Sequence, residues 1–175
     1  GADYLGNYVV VDPTESGGFV ITGSRNRGGN EEVVRLDIGP YDLMREDVEV
    51  TLTHRGRQRV AIFRLIDERS NTIVELRSDL VYDHLWARDQ RSYFYHSGIE
   101  AGDGWWETRF LLTTNRVEVS TGAVGVEETD GPWVVIEPGE RYVPSTTLCA
   151  VVAALGDEGG FYIDRLTARV IESGT

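Results

Sequence analysis

Two tryptophans stand side by side, Trp105 and Trp106, in "GWWETRFLLTT". Neighbouring residues on a strand point to opposite faces. Trp106 then shares a face with Thr108, Phe110 and Leu112 and reads as core. Trp105 shares the other face with Glu107, Arg109 and Leu111. An indole beside a carboxylate and a guanidinium can stack on a sugar ring and hydrogen-bond its hydroxyls. The alternative is a tryptophan covered by a loop or a neighbouring subunit. "YFYHSG" adds Tyr93 and Tyr95 on one strand face, with His96 beside them. Trp105, Glu107, Arg109, Tyr93 and Tyr95 are therefore the candidate ligand-binding residues. For the two tyrosines the alternative is ordinary aromatic strand residues next to a surface histidine.

Other chemistry has less footing. His96 and Ser97 are adjacent, so on a strand they face apart, and no nucleophile elbow surrounds the serine. His54 and His84 lack the HxH or HExxH spacing of a zinc site. Oxygen donors do occur in or beside loops, at Asp12, Glu15, Asp157, Glu158 and Asp164. Hard cations take several such oxygens. A structural calcium site drawn from distant loops, with Asp164, Asp12, Glu15 and Asp157 as ligands, is one expectation. Solvated acidic loops are the alternative. No catalytic residue is assigned.

The elements that would hold these residues are strands. "DVEVTLTH" sets Val48, Val50 and Leu52 on one face and Glu49, Thr51 and Thr53 on the other, and "NRVEVST" repeats the pattern. "RVAIFRLID" is almost continuously apolar, which predicts a strand covered on both faces. "NYVVVD", "GFVITGS", "EEVVRLDI", "NTIVELRS", "RSYFYHS", "PWVVIE" and "TTLCAVVAAL" are further strand candidates, parted by turn clusters such as "RNRGGN", "EAGDG" and "ETDGP". One short helix is expected in "SDLVYDHLWAR", from the i,i+4 pairs Val81–Leu85 and Tyr82–Trp86. Many strands with at most one short helix predict an all-β, two-sheet antiparallel jelly-roll sandwich, with residues 1–175 as a single domain.

Composition narrows the partners. The chain has 175 residues, 41% of them hydrophobic, and a net charge of −12. A nucleic-acid binder needs a basic face, and an anionic membrane surface would repel this charge. Neither nucleic acid nor membrane insertion is expected. All 17 basic residues are arginine, which fits GC-rich coding. Acidic excess without lysine would also suit a high-salt setting. The one cysteine, Cys149, excludes an intrachain disulfide and reads as a small packed hydrophobe. No signal peptide is visible, but the chain opens with Gly1 and not Met, as it would after removal of a leader or tag, so an extracellular or surface location is allowed.

In "GGFYIDRLTARV", Phe161 and Ile163 share one phase, and Leu166, Ala168 and Val170 share the other. One extra residue explains the slip, so a β-bulge is expected at Asp164–Arg165, turning the aspartate away from the core. This segment resembles the final strand of jelly-roll carbohydrate-binding modules of the galactose-binding-like type, which close on aromatic–x–Ile/Val–Asp. "GWWETRFLLTT" is similar to their Gly-Trp strand, and "TTLCAVVAALG" to the strand before the last. The resemblance covers roughly the C-terminal 70 residues, and implies sugar binding and a calcium role for the aspartate. The family's paired Asp-Asp is Asp164–Arg165 here. "VELRS" with "YFYHSG" also resembles alginate-lyase sandwiches, which use Tyr and His as acid–base partners, but the two pieces lie close together and a Gln-x-His strand is missing.

Three functions follow, in order. The first is a non-catalytic carbohydrate-binding module, extracellular or surface-displayed. The second is a structural subunit of a self-assembling filament, capsid or appendage. The third is a polysaccharide lyase-like enzyme. Partners are then carbohydrate or copies of the chain itself. A homo-oligomer is expected, with "NYVVVDP" adding to a neighbour's sheet edge.

Overall fold

The computed structural model describes residues 2–4, 10–13, 19–22, 32–36, 38, 41–56, 60–69, 71–79, 84–100, 102, 104–126, 131–137, 149–155 and 161–171. Their strands form two seven-stranded sheets, antiparallel throughout. Sheet A runs β1 (Ala2–Tyr4), β4 (Glu32–Leu36), β13 (Cys149–Leu155), β6 (Val60–Ile66), β7 (Thr72–Asp79), β8 (His84–Arg88), β9 (Phe94–Glu100). Sheet B runs β12 (Val134–Ile136), β11 (Val117–Ala123), β10 (Trp106–Leu112), β5 (Asp47–Gly56), β14 (Phe161–Ile171), β3 (Phe19–Thr22), β2 (Val10–Pro13). The architecture is the expected β-sandwich. Among the described residues no helix is long and apolar enough to cross a membrane.

Period-two alternation puts one face of each sheet into the core. From sheet B come Val48, Val50, Leu52, Phe110, Leu112, Val117, Val119, Val134 and Ile136. From sheet A come Phe63, Leu65, Val74, Leu76, Leu85 and Ala87. Phe63 meets Phe110 across the gap, ring centroids 5.4 Å apart. On strand β6, Ile62 and Ile66 are buried as well as Phe63 and Leu65, with Arg64 half-buried between the two isoleucines. The continuous apolar run in its sequence had this cause.

Where a helix was expected, the described residues form a strand. His84–Arg88 is strand β8, paired on both sides with β7 and β9, and residues 80–83 lie outside the described residues. Leu85 and Ala87 are buried while His84, Trp86 and Arg88 are half-exposed. That is a strand's alternation. A short apolar run fits either period, and here two neighbouring strands supplied the hydrogen bonds. Cys149 opens β13, but its side chain lies outside the described residues.

Strand β14 carries the bulge. Ile163 pairs with His54 and Arg165 with Thr53, so Asp164 has no opposite residue. Ile163 before it and Leu166 after it both face inward. The extra residue flips the phase once and leaves the half-buried aspartate on the outer side.

Candidate functional site

The outward face of sheet A collects charge and aromatic rings in one place. On β6, β7 and β8 the core takes Phe63, Leu65, Val74, Leu76, Leu85 and Ala87. Their neighbours Arg64, Glu75, Arg77, Trp86 and Arg88 must then project the other way. Register brings them together, for Arg64 sits opposite Glu75 and Glu75 opposite Arg88.

Glu75 is fully buried. Its Oε1 accepts hydrogen bonds from Arg64 Nε at 2.7 Å and Arg88 Nη2 at 3.1 Å. Arg77 Nη2 stands 3.2 Å from Oε2, within ion-pair reach but off the line of a hydrogen bond, so Oε2 takes none. Three cations thus surround one carboxylate. Arg77 Nε and Arg88 Nε are buried without a hydrogen-bond acceptor. The guanidinium-bearing side chains still reach water, at 19% exposure for Arg64, 26% for Arg77 and 23% for Arg88.

The rings lie next to this cluster. Phe94 is 44% exposed. Arg77 and Arg88 lie over its ring, 5.6 Å and 5.9 Å from the centroid. Trp86 meets Phe94 edge-on at 6.5 Å and His96 edge-on at 4.3 Å. His84, which has no zinc-type spacing in the sequence, lies 5.0 Å from His96.

The turn from β8 to β9 holds Phe94 in position. Asp89 is buried, and its Oδ1 accepts from the backbone N–H groups of Arg91 and Tyr93. Ser92 completes the turn in the left-handed region at φ 64°. Tyr95 donates its hydroxyl to Asp89 Oδ2 at 3.1 Å and packs against the core. Tyr93 and Tyr95 are in edge contact at 5.0 Å, in the phase opposite to Phe94 and His96. Tyr95 therefore positions the turn.

The other candidate residues lie on sheet B. Trp105 directly precedes β10, half-buried, with Arg55 over its ring at 5.2 Å; the same guanidinium lies 4.6 Å from the Tyr162 ring. Trp105, Thr53, Val124 and Asp164 line a hollow of about 480 Å³. Glu107 and Arg109 pair with each other at 2.8 Å and line a second hollow of about 380 Å³. Val124 borders both hollows. Trp105, Glu107 and Arg109 are thus together, and Tyr93 and Tyr95 are on the other sheet. Trp106 lies half-buried in phase with the buried Thr108, Phe110 and Leu112.

Of the expected calcium ligands, only Asp164 has a described side chain. Among the described residues no three His, Cys, Asp or Glu side chains gather as a metal site. Among the described residues, the hollow beside Asp164 has no second carboxylate in its lining. Glu15, Asp157 and Glu158 lie outside the described residues, and of Asp12 only the backbone pairing with Val20 is described.

Sequence reading missed Arg64, Glu75, Arg77, Trp86, Arg88 and Phe94 as a group. The available signal was the alternation of "HLWARD", hidden by the helical spacing seen in the same residues.

The protein is a two-sheet antiparallel β-sandwich. No protein-family model matches the sequence, and no curated protein does. Solved structures match the fold. A sialidase aligns with TM-score 0.70 and 12% identity, over 96% of this chain but 17% of the sialidase chain. The Ca2+-bound exoplasmic/lumenal domain of VIP36 aligns with TM-score 0.64 and 11% identity, over 99% of this chain and 85% of that one. The alginate lyase from Klebsiella pneumoniae aligns with TM-score 0.61 and 12% identity, over 94% and 85%. Identities this low speak to the fold alone.

Proposed function

We propose that the protein is a non-catalytic carbohydrate-binding module that takes its ligand on the outward face of sheet A, at Trp86, Phe94 and His96. The observation that carries this reading is the exposed Phe94 ring, set edge-on to Trp86 amid hydrogen-bonding side chains. Apolar rings among fixed donors suit a pyranose, which has an apolar face and polar edges. Among the solved structures of this fold, the alginate lyase and the sialidase are named for sugar chemistry. A binding role is favoured over a lyase because Tyr95 spends its hydroxyl on Asp89 and lies in the phase opposite to His96. An extracellular or surface setting goes with a glycan ligand. Trp105 is the second candidate contact, with Arg55 over its ring.

Affinity electrophoresis in a panel of soluble glycans separates the two places. Trp86→Ala is expected to weaken retention by ~30-fold or more, the loss of one aromatic hot spot, while Trp105→Ala keeps most of it. The opposite pattern would move the site to sheet B. Retention of neither variant nor wild type in any glycan would end the carbohydrate reading.

Self-association is the second reading. Its support is the place of Val10–Pro13, which is the last strand of sheet B. An uncovered edge pairs readily with another chain. Deleting residues 1–12 also removes edge strand β1 from sheet A. The full chain should then be oligomeric in light scattering and the truncated chain a folded monomer. A monomeric full chain at high concentration, or unchanged assembly after truncation, would exclude these edges as the agent.

A further inference from the structure

We infer that the glycan is acidic, with Arg77 and Arg88 receiving its carboxylate while Glu75 holds them in place; this rests on the carbohydrate reading above. The first support is charge. Among the described residues, Arg77 and Arg88 both face the single Glu75 carboxylate, which leaves one positive charge in excess. The chain as a whole carries −12. Its overall field repels polyanions, so preference for an acidic glycan has to come from a local site.

The second support is unmet hydrogen bonding. Each guanidinium offers five N–H donors. Glu75 accepts one from Arg64 and one from Arg88, and Arg77 meets it by charge alone. Buried Arg77 Nε and Arg88 Nε have no acceptor. Buried donors left in this state are costly and are uncommon in native proteins. A bound carboxylate would meet these arginines where their side chains reach water, 26% exposed at Arg77 and 23% at Arg88, and not at the buried Nε atoms. Its planar shape suits the guanidinium fork, and Glu75 already demonstrates that match from the protein side.

The third support is location. Arg77 and Arg88 lie over Phe94, and Phe94 contacts Trp86. A sugar ring on these aromatics sets a carboxylate at its ring edge beside the two arginines. Glu75 is a positioning residue here. Through Oε1 it fixes Arg88, and through its charge it offsets repulsion among three cations.

The test uses the full chain and polyuronates of several sugar types, each with its carboxyl-reduced neutral counterpart, plus sulfated glycans. Isothermal titration at moderate salt is expected to show at least ten-fold tighter binding to one acidic polymer than to its reduced form. Arg77→Lys and Arg88→Lys keep the charge but lose the planar fork. Both should bring acid binding down to the level of the reduced glycan, while Arg116→Lys, at a surface pair with Glu118 on sheet B, leaves it unchanged. Equal binding of acidic and reduced forms would overturn the inference and leave the carbohydrate reading standing. Sulfated glycans bound as tightly as carboxylated ones would overturn the choice of carboxylate. Loss in Arg116→Lys alone would overturn the location. If no glycan binds, both the inference and the carbohydrate reading fall. Should an arginine variant fail to fold, the acid-against-reduced comparison on the wild type decides.

Discussion

Glu75→Gln is expected to lower stability by about 3–5 kcal/mol, the range for breaking a buried ion pair by removing one partner. That is a large share of an ordinary domain's margin. Glu75 is fully buried, and three guanidiniums depend on its charge. Glutamine keeps the shape and removes the charge that Arg64, Arg77 and Arg88 share. The contrast is Glu49→Gln. Glu49 pairs with Arg169 at 3.1 Å, but that arginine is 72% exposed. A surface pair of this kind contributes about 0–1 kcal/mol. Urea midpoints measured for both variants check the difference. Equal small shifts would mean that the Glu75 cluster is solvated and carries no strain of charge.

A second large effect should appear on acidification, through His54. Its ring is buried against Thr108, with Nε2 2.8 Å from Thr108 Oγ1. Thr108 Oγ1 lies 2.9 Å from Thr121 Oγ1, and Trp133 Nε1 donates to Thr121 Oγ1 at 3.1 Å. Trp133 can only donate. If each hydroxyl passes its own hydrogen along the chain, His54 Nε2 is the final acceptor. A proton on Nε2 would reverse that order. Burial pulls the pKa of His54 down from 6.5 to about 3. The unfolded chain therefore binds this proton more readily than the folded one. Stability from this group is complete above pH 6.5 and is lost as pH falls toward 3. Over that window the loss is about 5 kcal/mol, at 1.36 kcal/mol per pKa unit. His54→Leu should show a flatter fall in urea midpoint between pH 7 and pH 4 than the wild type. Parallel curves would show that His54 is not the titrating group.

How much of this was legible in sequence depended on how local the signal was. The bulge was legible, because the slip between Ile163 and Leu166 is written in consecutive residues. The alternation of Thr108, Phe110 and Leu112 inward with Glu107, Arg109 and Leu111 was legible for the same reason. Strand β8 was not, since Leu85 and Trp86 satisfy a helix's spacing as well as a strand's. Only contact with β7 and β9 decides between them. The cluster at Glu75 was hidden more deeply. Arg64, Glu75 and Arg88 occupy three strands, and their meeting depends on register. A shift of one residue would send Glu75 into the core. The partner of His54 was hidden likewise, because Thr108 reads as an ordinary strand threonine until β10 is laid beside β5.

The place of β14 has a consequence for the order of events during synthesis. Strand β5 has β10 on one side and β14 on the other. Arg169 of β14 meets Glu49 of β5 across 120 positions of sequence. Without β14, sheet B falls into two pieces, β12–β11–β10–β5 and β3–β2. A nascent chain that has not yet supplied residues 161–171 therefore holds an open hydrogen-bonding edge along β5. Closing so long a loop precedes any reward from the pairing, and such topologies fold in roughly milliseconds to seconds. Until the last strand is made, the centre of the sheet is an exposed edge, the place where one growing chain can capture another.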